Sequence, residues 1–231
     1  MIPFSDANPT TRPPVVNRVL LFANIALWLY TFSLSRTPGA LEVFFDRYAF
    51  DFTRFTHDLG SGSWSVMTFV PLFSHMFLHG GWLHIIGNML YLWVFGDNIE
   101  DRLGSGTYLV FYLLCGIAAA IGQGIVSASP MIGASGAIAG VLGAYLVLFP
   151  TARVRTLIFL GIFITVVQLP AVVVISFFIV IQFLEGFASL RLSGHAAAEQ
   201  VAYFAHIFGF IAGIILLFLL RGRAKRSSRY G

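Results

Sequence analysis

The chain has 231 residues, 58% of them hydrophobic and only 10% charged, with a mean hydropathy of +0.84 and a formal net charge of +4. About a quarter of the residues of an ordinary water-facing domain are charged, so a soluble globular surface is excluded, and intrinsic disorder fails on the same shortage of charge. The 23 glycines follow no strict period and Cys115 is the single cysteine, which removes collagen-like and disulfide-scaffold classes and leaves a polytopic membrane protein.

In chain order, residues 1–14 form a polar, proline-containing tail. A helix needs roughly 20 apolar residues to cross about 30 Å of hydrocarbon. Six stretches qualify: 15–34, 80–99, 106–126, 131–150, 170–189 and 201–220. The first is not a cleavable signal, because it is long, follows a polar start and lacks a small-residue cleavage site. The long connection 35–79 is rich in aromatics, among them Phe44, Phe45, Tyr48, Phe50, Phe52, Phe55 and Trp64. Such a loop suits the headgroup layer. Residues 156–169, apolar but short and caught between Arg155 and Pro170, read either as an interfacial or re-entrant piece or as a seventh span.

Charge decides between them. With six spans and a cytoplasmic N-terminus, the inner side carries Arg12, Arg18, Arg102, Arg153, Arg155, Arg221, Arg223, Lys225, Arg226 and Arg229, against Arg36, Arg47, Arg54 and Arg191 outside. A seventh span would move the Arg221–Arg229 cluster outward, against the positive-inside bias. The expectation is an all-α, six-span bundle over 15–220 with outer loop 35–79, a tail 1–14 and a basic tail 221–231, both ends cytoplasmic. The basic balance then reports topology and contact with the lipid bilayer rather than nucleic acid. No internal repeat is visible, which argues against a transporter built on inverted repeats.

Polar side chains at membrane depth are costly and point to function. The second span holds His84 and Asn88, one turn apart, preceded by His75 and His79; the fourth holds Ser135, the fifth Gln182 and Glu185, and the sixth His206. At about 1.5 Å of rise per residue, Ser135, His84, His206 and Asn88 fall roughly 6, 6, 8 and 12 Å below one face. A shared level suggests a water-filled cavity opening on that face. The chemistry such a set supports is acyl transfer: a serine activated by a histidine base, with His84, Asn88 and the Ser135 amide as oxyanion donors. Small residues at Gly133, Gly136, Gly140 and Gly143, and at Gly209 and Gly213, let the fourth and sixth spans approach closely.

Each feature also has an ordinary reading. A serine in a membrane helix commonly bonds back to its own backbone, a histidine near a helix end commonly serves an interhelical contact, and glycine stripes commonly serve packing alone. His75, His79 and His84 lack a carboxylate or cysteine at a recognised ligand spacing, HExxH is absent, and position 137 is Ala, which breaks the G-x-S-x-G elbow. No metal or other cofactor is expected.

At these residues the sequence strongly resembles the rhomboid family of intramembrane serine proteases. The matching stretches are Gly133-Ala134-Ser135-Gly136 (GxSG), Ala205-His206 through Gly209 to Gly213 (AHxxGxxxG), and His79-Gly80-Gly81-Trp82-Leu83-His84 to Asn88 (HxxxxHxxxN), continuing through Phe95-Gly96-Asp97-Asn98-Ile99-Glu100-Asp101. The resemblance implies a catalytic Ser135–His206 dyad with no acidic third member, and oxyanion stabilisation by His84, Asn88 and the Ser135 amide. Gly133, Gly136, His79, Gly209 and Gly213 would support the motifs. It also implies single-pass membrane proteins as substrates, cut in or near a helix that unwinds readily. Two positions depart from the pattern: Ala139 stands where some members carry a tyrosine stacked on the histidine, and Trp64 is followed by Ser65 where many carry arginine. The rival reading is a non-catalytic rhomboid-like protein that binds membrane helices; a solute transporter or channel is a third. The six-span plan suggests a prokaryotic cytoplasmic membrane. Substrate, pathway, gate and oligomeric state are not written in the sequence.

Overall fold

The computed structural model describes residues 1–127, 129–160, 163–189 and 202–221. Arg191, the tail beyond Arg221 and the first residue of the sixth predicted span lie outside the described residues. The elements in order are strand β1 (Ile2–Asp6), then α1 (Val15–Leu34), α2 (Ala40–Tyr48), α3 (Phe52–Ser61), the short α4 (Val66–Phe69) and α5 (Pro71–Ser74), and a 3-10 turn at His75–Phe77. There follow α6 (Trp82–Leu103), α7 (Ser105–Val126), α8 (Ser135–Leu148), strands β2 (Arg153–Leu160) and β3 (Phe163–Pro170), α9 (Ala171–Ser189) and α10 (Tyr203–Arg221).

Each of the six predicted spans contains one helix, and helix dominates the chain. Four of these helices, α1, α7, α9 and α10, are long and apolar enough to cross a membrane by themselves. Their outward faces are bare hydrocarbon: Phe22 is 73% exposed, Leu184 66% and Leu219 68%. A soluble protein would not leave such side chains unpartnered in this density, whereas lipid covers them. The other two differ for local reasons. α6 is long but carries Asp97, Glu100, Asp101 and Arg102 in its last turns and runs past the predicted end to Leu103, stopping at Gly104 with φ +78°. α8 has 14 residues, about 21 Å of helix, because the first residues of the predicted span are extended.

Three stretches have secondary structure that the sequence reading left unspecified. Residues 156–169 are not a seventh helical span: the described ones belong to two strands, β2 pairing antiparallel with β3 from Arg153↔Pro170 to Leu160↔Phe163. The polar start is not simply a tail, since β1 adds antiparallel to β2 from Ile2↔Leu157 to Asp6↔Val154. The physical signal is alternation: Val154 and Thr156 are fully buried while Arg153 and Arg155, which alternate with them, are exposed, the period of a strand with one covered face. This three-stranded sheet is the one non-helical layer among the described residues. The outer loop 35–79, third, is mostly helical.

The core lies between α6, α7 and α8, where Leu92, Phe95, Ile99, Tyr108, Phe111, Tyr112, Cys115, Leu142 and Tyr145 are fully buried. α8 and α10 pack backbone on backbone. A Cβ on Gly209 would fall on the Gly136 carbonyl oxygen, and one on Gly213 on the Gly140 carbonyl oxygen. Matching 136 with 209 and 140 with 213 means that the two helices run parallel and in register, an approach that only glycine permits.

The C-terminal end of α6 ties down the start of the chain. α1 follows two prolines and has no capping side chain of its own. The buried Glu100 carboxylate supplies the cap, accepting from Val16 N (3.0 Å), Asn17 N (2.7 Å) and Ser105 Oγ (2.6 Å). A carboxylate at the positive end of a helix is stabilised by the dipole as well as by the bonds. Asn17 in turn donates to the Leu92 carbonyl at 3.1 Å and accepts from the Tyr108 hydroxyl at 2.8 Å. Asp101 takes two bonds from Thr11, and Asp6 accepts from the Tyr145 hydroxyl and from Asn98.

Candidate active site

At the opposite end of α6 the backbone is arranged before any side chain acts. Met131 exchanges two hydrogen bonds with Phe50 (3.1 and 2.9 Å), and the Gly133 amide donates to the His75 carbonyl at 2.8 Å. His75 is buried and gives its own ring Nδ1–H to the Pro71 carbonyl at 2.8 Å. Burial pushes its ring down to about 4, so it is a neutral structural group. Held this way, residues 131–134 cannot be helical, and α8 begins at Ser135 itself. Ser135 therefore stands at the helix N-terminus rather than a turn inside it. The preceding Ala134 offers no capping side chain, so the first amides of α8, that of Ser135 included, have no intrahelical acceptor.

Gly133 has φ +125°, and a Cβ there would stand 2.6 Å from His84 Nε2 and 3.6 Å from Ser135 Oγ. The space that a side chain would fill is the space the His84 ring occupies. The Gly80 amide donates to His84 Nδ1 at 3.4 Å; the ring proton then sits on Nε2, a donor turned toward Gly133 and Ser135. Asn88, one turn further along α6, is buried at 8% exposure, and its Nδ2 has no hydrogen-bond partner among the described residues. An amide donor left unpaired in a membrane protein is expensive. His79 is fully buried with both ring nitrogens unpartnered, and it packs edge-on against His84 with centroids 5.0 Å apart. Burial, aided by the neighbouring His84, pushes it down to about 3, so it too is neutral.

His206 lies on α10, buried at 6% exposure. Its neighbour Ala205 donates its amide to Gln123 Oε1 of α7 at 3.0 Å, which caps the start of α10 from across the bundle. The ring is held from α9: Nδ1 lies 2.6 Å from Gln182 Oε1, and the Phe178 ring stands 5.9 Å away, tilted by 42°. Ala139, where a stacking tyrosine would come from α8, is fully buried. Thus α9 does what the α8 side chain does not.

Of the sequence-predicted residues, Ser135, His84, Asn88, His79 and Gly133 gather at one end of the bundle. The in-register contacts Gly136–Gly209 and Gly140–Gly213 bring His206 to the same end, within a turn of the level of Ser135. No hydrogen bond links Ser135 to His206 among the described residues; such contacts commonly tighten only with substrate bound. Glu185 does not join the group and is exposed on α9. Gln182 and Gln123 had no assignable role from sequence, since each is a lone amide in an apolar run. No cluster of three or more His, Cys, Asp or Glu suited to a metal occurs among the described residues.

Comparison with known proteins places the chain as follows. Residues 66–223 match the Rhomboid domain family. The chain is 44% identical over 75 residues to the rhomboid protease GluP of Bacillus subtilis, covering 32% of this chain and 15% of that protein. It is 27% identical over 217 residues to RHOMBOID-like protein 4 of Arabidopsis thaliana, 86% and 50% of the two chains. To the rhomboid protease GlpG of Yersinia pestis it is 34% identical over 70 residues, 30% and 25% of the two. The matches thus cover at most half the length of these relatives.

Proposed function

The chain belongs to the rhomboid family, and from that premise we propose that it is an intramembrane serine endopeptidase acting on single-pass transmembrane proteins, with Ser135 as nucleophile and His206 as base. The observation that carries the proposal is the glycine vacancy: at Gly133 a side chain is replaced by the His84 ring, whose Nε2 faces the space beside Ser135 Oγ at the uncapped start of α8.

The steps follow from the atoms. His206 Nε2 takes the hydroxyl proton as Ser135 Oγ bonds to the scissile carbonyl carbon, and the carbonyl oxygen becomes an oxyanion. His84 Nε2–H, Asn88 Nδ2 and the Ser135 amide are the donors for it, fixed in advance and shielded from bulk water. Collapse breaks the C–N bond, and the leaving amine receives the proton from His206. Water then attacks the acyl ester, giving its proton to His206, which returns it to Ser135 Oγ as the acid leaves. A helical peptide bond is shielded by its own hydrogen bonding, so a substrate helix opens locally first, and Gly or Pro near the cleavage point lowers that cost.

The inner-side arginine excess favours both termini in the cytoplasm and the Ser135 end facing outward, with residues 15–220 as one catalytic unit. A prokaryotic cytoplasmic membrane suits this plan. The test uses purified protein and a model single-pass substrate. The parent cuts it; Ser135→Ala and His206→Ala do not, and chelator has no effect. A serine-directed fluorophosphonate labels Ser135 in the parent. Folded protein that neither labels nor cuts favours the helix-binding reading instead.

A further inference from the structure

Two histidines, His84 and His206, lie at the Ser135 end of the bundle, and their surroundings fix opposite tautomers. His84 accepts at Nδ1 from Gly80 and so carries its proton on Nε2. His206 has an acceptor, Gln182 Oε1, at 2.6 Å from Nδ1. The amide of Gln182 is itself oriented: its Nε2 donates to the Phe178 carbonyl one turn earlier on α9, at 3.5 Å, which leaves Oε1 for the histidine. Gln182 is buried at 8% exposure and His206 at 6%, so no bulk water competes for the bond.

We infer that Gln182 is a positioning residue for the base: by accepting the Nδ1–H of His206 it fixes the tautomer that leaves Nε2 bare toward Ser135, and with the Phe178 ring it fixes the plane of the imidazole. The inference rests on the proposed serine-protease reading and supplies what a two-residue dyad lacks, an orienting third group. A neutral amide differs from the aspartate of a triad in one respect. It sets the tautomer by hydrogen bonding but adds no negative charge to stabilise the imidazolium once it forms. The orienting group also comes from the least buried of the four long spans, 28% against 33% to 44% for the others. The geometry of the base is therefore tied to how α9 docks.

The experiment compares the full-length parent, Ser135→Ala, Gln182→Met and Gln182→Glu in the same bilayer or detergent, measuring kcat and KM for a model substrate across pH, with thermal unfolding alongside. Gln182→Met keeps the length and removes the acceptor. It lowers kcat by about 10- to 100-fold with KM little changed, less than the 10²–10⁴ lost when a general base is removed outright. Gln182→Glu restores an acceptor and adds charge; it recovers most of the rate, and the acid limb of its profile moves to higher pH because the carboxylate favours a protonated ring. His84 and His79, the other titratable groups gathered at this end, are untouched in every variant. The inference is overturned if Gln182→Met keeps the parental kcat while folded. It is equally overturned if Gln182→Glu is as slow as Gln182→Met at every pH, since packing alone would then explain the loss. A parent that cuts no better than Ser135→Ala overturns the protease reading itself, and the role of Gln182 with it.

Discussion

The two ends of α6 use polar side chains in opposite ways. At the C-terminal end, Glu100 accepts three hydrogen bonds, Asp101 two from Thr11, and Asp6 bonds from Tyr145 and Asn98. At the N-terminal end, Asn88 Nδ2 and both ring nitrogens of His79 have no partner among the described residues, and Ser135 sits at an uncapped helix start. Buried polar groups that are satisfied strengthen a fold; ones left open at depth weaken it and persist where a ligand completes them. The comparison teaches that the carboxylates at one end are satisfied by the protein itself, whereas Asn88 and His79 at the other end are not satisfied by any described residue, which is what the proposed function requires.

If that division holds, substitutions at the two ends separate activity from stability. The largest effect is expected from Ser135→Ala, which lowers kcat/KM by about 10⁴-fold or more while shifting unfolding by no more than about 0.5 kcal/mol; cleavage and denaturation assays on one preparation check both. Next, Asn88→Ala removes one oxyanion donor and costs about 10²–10³ in kcat, with stability unchanged or slightly raised because an unpaired donor is gone. A large loss of stability there would break the comparison.

At the other end, Glu100→Ala leaves two α1 amides and the Ser105 hydroxyl without their acceptor. A loss of about 2–4 kcal/mol of stability follows, with kcat per folded molecule unchanged. The smallest effect is in pH. Burial, with Asp97 close by and against the opposing Tyr145 hydrogen bond, pushes the Asp6 carboxyl up to about 6. The folded state then binds that proton more tightly than the unfolded chain does. The stabilising contribution is complete below the ordinary value of 3.8 and is lost as pH rises through about 6. With solvent screening this amounts to about 1 kcal/mol. Denaturation of the parent and of Asp6→Asn between about pH 4 and 7, a window that brackets the shifted group, checks it: the slope is shallower in the variant.

Legibility from sequence followed the range of each signal. Helix locations were readable because a membrane-crossing run is long, as the near-identical limits of 15–34 and Val15–Leu34 attest. The start of α8 was not, because the pairing of Met131 with Phe50 joins residues some eighty apart. The strands were hidden for a related reason: a short apolar run between Arg155 and Pro170 has the composition of a helix, and the strand that pairs with β2 comes from the far end of the chain.

The candidate site divides the same way. Motif and spacing identified Ser135, His206, His84 and Asn88 as candidates: His84 and Asn88 lie one turn apart at the depth of the other two, and Ser135 and His206 sit beside glycines that allow close approach. Gln182 has no partner legible along the chain. A lone amide in an apolar helix becomes informative only when another helix presents a ring nitrogen to it, and that meeting is made by the packing of α9 on α10.

Composition determined by itself that this chain lives in lipid, because no arrangement of so few charges could cover it with water-compatible surface. Local pattern determined the family and the candidate residues. Only the tertiary structure decided which polar groups are satisfied and which stand open, because hydrogen-bond satisfaction depends on distance in space and not on separation along the chain.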